Sequence, residues 1–364
     1  MTLTECVTNL HRRFIMPLAI CVAAVLLPLA SASANSKYAG VVVDAATGRV
    51  LYADNANARR YPASLTKMMT LYLTFEGLDE KRFGLNTKIR VSRRAASEPP
   101  SKLWLRPGSY ITVKDAMHAL VTKSANDAAT ALGEFLAGSE AKFATLATRK
   151  ARSLGMSRTT FRNAHGLPDS RQVTTARDMA TLGIALREDF PHRYAIFKTR
   201  SYRYGKTTLR SHNRLVGRIE GVDGIKTGYI NASGFNLVTS VQRDGRSIVA
   251  VVMGGRTSRS RDAHMRSLIA SYLPKASENF KRPGRSLLVA KAGARHPTTV
   301  PLPLSGIECQ RRTRQRRRLS TRSRPQACRQ IRVGPYRLAP FPTNKRQLSF
   351  SPEQSKYCRR CWER

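Results

Sequence analysis

The sequence predicts an α+β domain: one antiparallel sheet built from both chain ends, flanked by helices, with a mostly helical subdomain inserted between its halves. Three observations predict it. β-Rich runs open the segment at 39–52, helical patterns fill 64–186, and two long apolar runs joined by an Asp-Gly turn return at 234–253. Early strands, central helices and late strands give α+β layering rather than a βαβ series.

The first 34 residues read as an export leader. His11, Arg12 and Arg13 form a positive start, and Ile15 to Ala30 is an apolar run broken by Pro17 and Pro28. Ala32-Ser33-Ala34 supplies the small residues of a cleavage site. Cleavage after Ala34 leaves Asn35 first; the alternative is an uncleaved anchor, the run being close to the lower limit for a span. Either way the chain is expected to work outside the cytoplasm, in the periplasm or on the extracytoplasmic face of the inner membrane.

Residues 35–280 form the expected folded domain. Ala39 to Val43 and Arg49 to Tyr52 flank Asp44-Ala-Ala-Thr-Gly48, the pattern of a hairpin with a glycine-containing loop. From Ser64 a broad apolar face (Leu65, Met68, Met69, Leu71, Tyr72, Leu73, Phe75) predicts a helix stopping at Gly77. Thr112-Val-Lys-Asp115 and Thr175-Ala-Arg-Asp178 read as capping boxes that open two further helices. Between them the pattern predicts helices over Asn126 to Ala137 and Ser139 to Leu154, the second stopped by Gly155. Gly234 to Gln242 and Ser247 to Met253 are strands around the Asp244-Gly245 turn. A last helix is expected over Asp262 to Leu273, closed by Pro274.

Charge divides the chain. Its 364 residues carry a formal net charge of +41, with 41% hydrophobic residues, enough for a sizeable core. From Phe280 onward about 22 lysines and arginines face three acidic residues. Residues 281–304 read as a linker and 305–364 as a basic, disordered tail, with too little apolar surface to offset ordering entropy. The abrupt change of composition also fits an out-of-frame end of the gene. Few aromatics and no nucleic-acid module argue against nucleic acid as a partner. Peripheral contact of the tail with anionic lipid or wall polymer suits an exported chain better. The six cysteines fall in the leader (Cys6, Cys21) and the tail (Cys309, Cys328, Cys358, Cys361), so the domain folds without a disulfide. Cys358-Arg-Arg-Cys361 lacks a second close pair, and no metal or other cofactor is expected.

Three short motifs carry chemistry. In Ser64-Leu-Thr-Lys67 a hydroxyl at a helix start has an amine one turn on, on the same face. Burial and the positive helix terminus both lower a lysine's pKa, as a base needs. Ser124-Ala-Asn126 lies in a break between helices, where a serine can relay a proton and an asparagine can hold an amide. Ser211-His-Asn213 and Ser277-Glu-Asn279 share that pattern; Ser277 follows the last sheet element and sits in a poor place, whereas Ser211 is harder to dismiss. Lys226-Thr227-Gly228 leads into a strand, placing a cation and a hydroxyl at a sheet edge to meet a carboxylate. Gly228 there allows close backbone approach. His212 and His165 do not complete a Ser-His-Asp triad, since no Gly-x-Ser-x-Gly elbow exists, and His165 belongs to a loop turning at Gly166.

Taken in order, Ser-x-x-Lys, Ser-x-Asn and Lys-Thr-Gly resemble the signature set of penicillin-binding proteins and serine β-lactamases. Their flanks, Tyr61 to Thr70, Asn163-Ala-His-Gly-Leu167 and Gly221 to Tyr229, are similar to the low-molecular-mass D-alanyl-D-alanine carboxypeptidases over about Lys37 to Leu273. The resemblance implies a β-lactamase/DD-peptidase-like fold and an acyl-enzyme on Ser64, with Lys67 taking its proton. It selects Ser124 over Ser211 to protonate the departing D-alanine, with Asn126 holding the peptide. Lys226 and Thr227 would grip the terminal carboxylate beside Gly228, and the N–H groups of Ser64 and Tyr229 would form the oxyanion hole. Peptidoglycan stem peptides are the implied substrates and β-lactams the implied acylating inhibitors. A DD-endopeptidase fits the same residues. A class A β-lactamase fits less well, because no Glu-x-x-x-Asn occurs between Ser124 and Lys226.

Overall fold

The computed structural model describes residues 35–278. The expected leader, linker and basic tail lie outside the described residues. The N-terminal hairpin is β1 (Ala39–Asp44) and β2 (Val50–Asp54). A 3-10 turn at Ala63–Thr66 runs directly into α1 (Lys67–Asp79). The inserted block then holds β3 (Lys88–Arg90), α2 (Arg93–Ser97), β4 (Tyr110–Thr112), α3 (Val113–Val121), α4 (Asn126–Ala137) and α5 (Glu140–Ser153). After α6 (Ala176–Asp189) and the small hairpin β5 (Ser201–Tyr204) and β6 (Thr207–Arg210) come β7 (Val222–Ile230), β8 (Gly234–Arg243) and β9 (Arg246–Gly255). Helix α7 (Ser258–Tyr272) follows.

The sheet is antiparallel with strand order β2-β1-β9-β8-β7, so the two chain ends meet at the β1–β9 pair. Alternation along β9 separates two cores. Ile248, Ala250 and Val252 pack with Met265, Leu268 and Ile269 of α7. Val249, Val251 and Met253 join the larger core with Met179 and Leu182 of α6 and the helical block. A strand buried on both faces reads as the continuous apolar run seen in the sequence.

Helix α1 is buried from Lys67 through Phe75. A helix that is apolar all round belongs inside a protein, and this one carries a lysine in with it. No helix among the described residues is long and apolar enough to cross a membrane.

Several expected boundaries move. Helix α1 passes Gly77 to end at Asp79, because Gly77 packs beneath the Phe83 ring and its carbonyl accepts from Arg82 N at 3.0 Å. Neither expected capping box is reciprocal. Thr112 and Thr175 each accept the N3 amide, but the Asp115 carboxylate takes the Thr112 hydroxyl and Asp178 takes Arg158 N and Thr159 Oγ1. The reciprocal box is Thr257 with Ser260, and α7 starts four residues before the expected Asp262. Its arginine-rich first turn hid that start, yet Arg261 is buried there against the Asp262 carboxylate at 2.6 Å. The β3–β4 and β5–β6 hairpins were not foreseen, since strands of three or four residues give too short a pattern.

Candidate active site

Ser64 sits in the 3-10 turn and Lys67 is the first residue of α1, so the two share one face across the junction. Lys67 Nζ has three partners: Ser64 Oγ at 3.1 Å, Asn126 Oδ1 at 2.8 Å and the main-chain oxygen of His165 at 2.5 Å. The amine is fully buried. Burial first, and then the nearby Lys226 charge, hold its pKa well below the usual lysine range, against the opposing fields of Glu98 and Asp127. No carboxylate among the described residues pairs with it directly. This is a lysine suited to the neutral form, beside a hydroxyl.

The nucleophile turn is held from two sides. Asn236 of β8 donates through Nδ2 to Tyr61 O at 3.0 Å and Pro62 O at 3.2 Å. From β7, Gly228 comes so close that an added Cβ would stand 3.0 Å from Ser64 N and 3.1 Å from Pro62 O. A side chain there would crowd the backbone of the nucleophile turn. Lys226-Thr227-Gly228 lies within β7 rather than before it, which corrects the sequence reading; the strand is nevertheless the edge of the sheet. Lys226 Nζ is buried and donates to Thr227 O at 2.8 Å. Burial, then Arg261, lowers its pKa to about 7.

Ser124 is buried between α3 and α4 with φ +58°, a left-handed conformation that L-residues enter at a cost. Its Oγ has no hydrogen-bond partner among the described residues. Of its rivals, Ser211 accepts Asn213 N at 3.2 Å to cap its own turn, and Ser277 donates to Asp44 Oδ2 at 2.7 Å, at the end of β1. Asn126 spans Lys67 and Pro99, accepting from the first and donating to Pro99 O at 2.8 Å, which leaves one amide hydrogen for a ligand. Ser64, Ser124, Asn126, Thr227, Gly228 and Tyr229 all line one cleft of about 480 Å³.

Sequence reasoning missed the support beneath Lys67. The turn 163–167 presses on the nucleophile: Gly166 has φ +94° and an added Cβ would fall 1.9 Å from Ala63 O. His165, treated only as a loop residue, points inward. Its Nδ1 accepts Leu167 N at 3.0 Å, so the neutral ring carries its hydrogen on Nε2. That nitrogen faces Glu140 Oε1 at 3.0 Å and Glu98 Oε1 at 3.4 Å. Burial pushes both carboxyls up, but the His165 contact and the Arg94 charge outweigh it and hold them below the usual range. The three side chains are close enough to hold a cation. Leu167 N occupies Nδ1, while Nε2 and Glu140 Oε1 lie in contact without a hydrogen-bond partner among the described residues. Residues so far apart in sequence left no motif to find.

An antiparallel sheet edge, a serine–lysine pair at a helix start and a second serine in a helix break together define the fold of the penicillin-binding DD-peptidases. A family model described as D-alanyl-D-alanine carboxypeptidase matches residues 29–257. Similar proteins include the D-alanyl-D-alanine carboxypeptidases DacC of Escherichia coli, 37% identical over 61% of this chain and 58% of that protein, and DacF of Bacillus subtilis, 35% identical over 65% and 62%. Among solved structures, penicillin binding protein 5 of Haemophilus influenzae is 31% identical over 64% of this chain and 69% of that one, with a TM-score of 0.62. Penicillin-Binding Protein D2 of Listeria monocytogenes, in its cefotaxime-bound form, is 30% identical over 64% and 95%, with a TM-score of 0.59. This chain belongs to the D-alanyl-D-alanine carboxypeptidase family. It spans about three fifths of the length of those two carboxypeptidases.

Proposed function

We propose that this protein is an exported serine-type D-Ala-D-Ala carboxypeptidase that removes the terminal D-alanine from peptidoglycan stem peptides and is acylated by β-lactams. The observation that carries the reading is the buried Lys67 amine, hydrogen-bonded to Ser64 Oγ and lowered in pKa with no carboxylate partner among the described residues. Ser64 Oγ attacks the carbonyl carbon between the two D-alanines while its proton passes to neutral Lys67. The N–H groups of Ser64 and Tyr229 receive the oxyanion. The C–N bond breaks and the departing amine takes a proton through Ser124, whose free hydroxyl supports that role. Water then hydrolyses the ester, returning Ser64 and the shortened peptide. Lys226 and Thr227 hold the terminal carboxylate, and the remaining Asn126 amide hydrogen holds the peptide. The leader supports work in the periplasm or on the outer face of the inner membrane, and the basic tail adds contact with anionic lipid or wall polymer.

The test is labelling with a fluorescent penicillin, for wild type and Ser64→Ala, followed by D-alanine release from a pentapeptide. Wild type should label and release D-alanine, and the variant should do neither. A wild type that never acylates sinks the proposal. Cleavage of crosslinked dimers in preference to pentapeptide would reassign the enzyme as an endopeptidase.

A further inference from the structure

A second cavity, of about 450 Å³, opens beside the cleft and shares Ser211 and Arg214 with it. Arg200, Arg210, Arg214 and Arg218 line it. The fold assembles them from two elements. Ser201 pairs with Arg210 across the β5–β6 hairpin, and Ser211 N donates to Arg200 O at 2.8 Å, bringing the hairpin's ends together. The turn that follows carries Arg214 and Arg218, and the Arg200 guanidinium lies against Gly217.

In a chain of +41, single exposed arginines say little. Four around one cavity say more, because no carboxylate among the described residues lies within salt-bridge distance of any of them. Like charges gathered without counter-charge repel, and such a cluster is satisfied by an anion. Two further observations agree. Asn213, in the same lining, is buried with Nδ2 unpartnered among the described residues. His212, on the wall of the neighbouring cleft, is lowered to about 4, first by desolvation and then by surrounding cations, Arg214 of this cavity among them.

We propose that this cavity is an anion subsite that binds a second carboxylate of the substrate peptide, upstream of the bond cut in the cleft. The inference rests on the proposed function. A peptide whose C-terminal carboxylate is held at Lys226 must leave the cleft along its upstream residues, and a cavity sharing two wall residues with the cleft is open to them. Guanidinium forks match carboxylate oxygens in pairs, which makes arginine the suited residue. The subsite thus selects acidic peptides over neutral ones, while a small β-lactam has no need of it.

The experiment compares wild type with the triple variant Arg200→Gln, Arg210→Gln, Arg218→Gln. D-alanine release is followed on two peptides with the same D-Ala-D-Ala end, one with a free upstream carboxylate and one amidated there. Wild type should favour the acidic peptide by about 10-fold in kcat/KM, as expected for one charge-assisted contact. The variant should lose that preference and keep its penicillin acylation rate within about twofold. Equal rates for both peptides in wild type, or a preference that survives in the variant, overturn the proposal. The wild-type comparison decides even if the variant fails to fold. If wild type releases no D-alanine at all, the proposed activity fails, and the subsite is judged separately by calorimetry with an acidic tripeptide lacking the D-Ala pair. Binding tighter than that of its amidated form supports the subsite, and binding no tighter overturns it.

Discussion

Lys67 Nζ donates to the main-chain oxygen of His165 at 2.5 Å, so the candidate base is held by a turn almost a hundred residues further along the chain. That turn is itself anchored through the His165 ring between Glu98 and Glu140. The basicity of the amine therefore depends on groups that never touch Ser64.

Glu98→Gln tests this dependence. The amide still offers an oxygen to His165 Nε2, but the negative charge that raises Lys67 is gone. Lys67 should then lose its proton at lower pH, and the acidic limb of the penicillin acylation rate should move down. An unmoved limb with a merely smaller amplitude would mean that Glu98 is structural only.

Lys67→Arg should slow acylation by about 10²–10⁴-fold, the usual contribution of a positioned base, because arginine keeps the charge but cannot become neutral. Stopped-flow labelling with a fluorescent penicillin checks it. Retention of the wild-type rate would remove Lys67 as the base.

Ser124→Ala should lower turnover by about 10²–10⁴-fold, and Ser211→Ala by no more than about threefold, since only Ser124 presents an uncommitted hydroxyl. Reversal of that order in a D-alanine release assay would hand the proton-relay role to Ser211.

Lys226 gives a pH prediction with a definite sign. Its pKa falls from the ordinary lysine value of 10.5 to about 7 in the fold. Between those limits the unfolded chain binds the proton and the folded chain does not, so stability rises with pH, by up to about 1.4 kcal/mol per unit. Below about 7 the lysine is charged in both states and its burial cost is fully present. Urea midpoints from about pH 7 to 9 should therefore climb more steeply in wild type than in Lys226→Met. Equal slopes would contradict the shift.

Gly166→Ala should destabilise the domain by about 2–4 kcal/mol, combining a left-handed backbone with a Cβ driven into Ala63 O. Thermal melting reads the loss. Near-wild-type stability would mean that the 163–167 turn is not packed as described.

The sequence by itself determined the sheet built from early and late strands, because the apolar runs of β8 and β9 and the Asp-Gly turn between them are local and strong. It also determined Ser64 with Lys67, since one helical turn brings them together whatever the rest does. Lys226, Thr227 and Gly228 were legible as an edge element, though the strand proved to begin earlier. The choice of Ser124 came from the order of motifs, and the fold added a physical reason, its uncommitted hydroxyl in a strained turn. Only tertiary structure decided what surrounds Lys67. Asn236 clamps the nucleophile turn from β8, and Glu98, Glu140 and His165 meet from three separate segments. The arginine cavity likewise forms only when β5, β6 and the turn after them close together. Such contacts depend on burial and long-range geometry, which carry no period and no spacing along the chain.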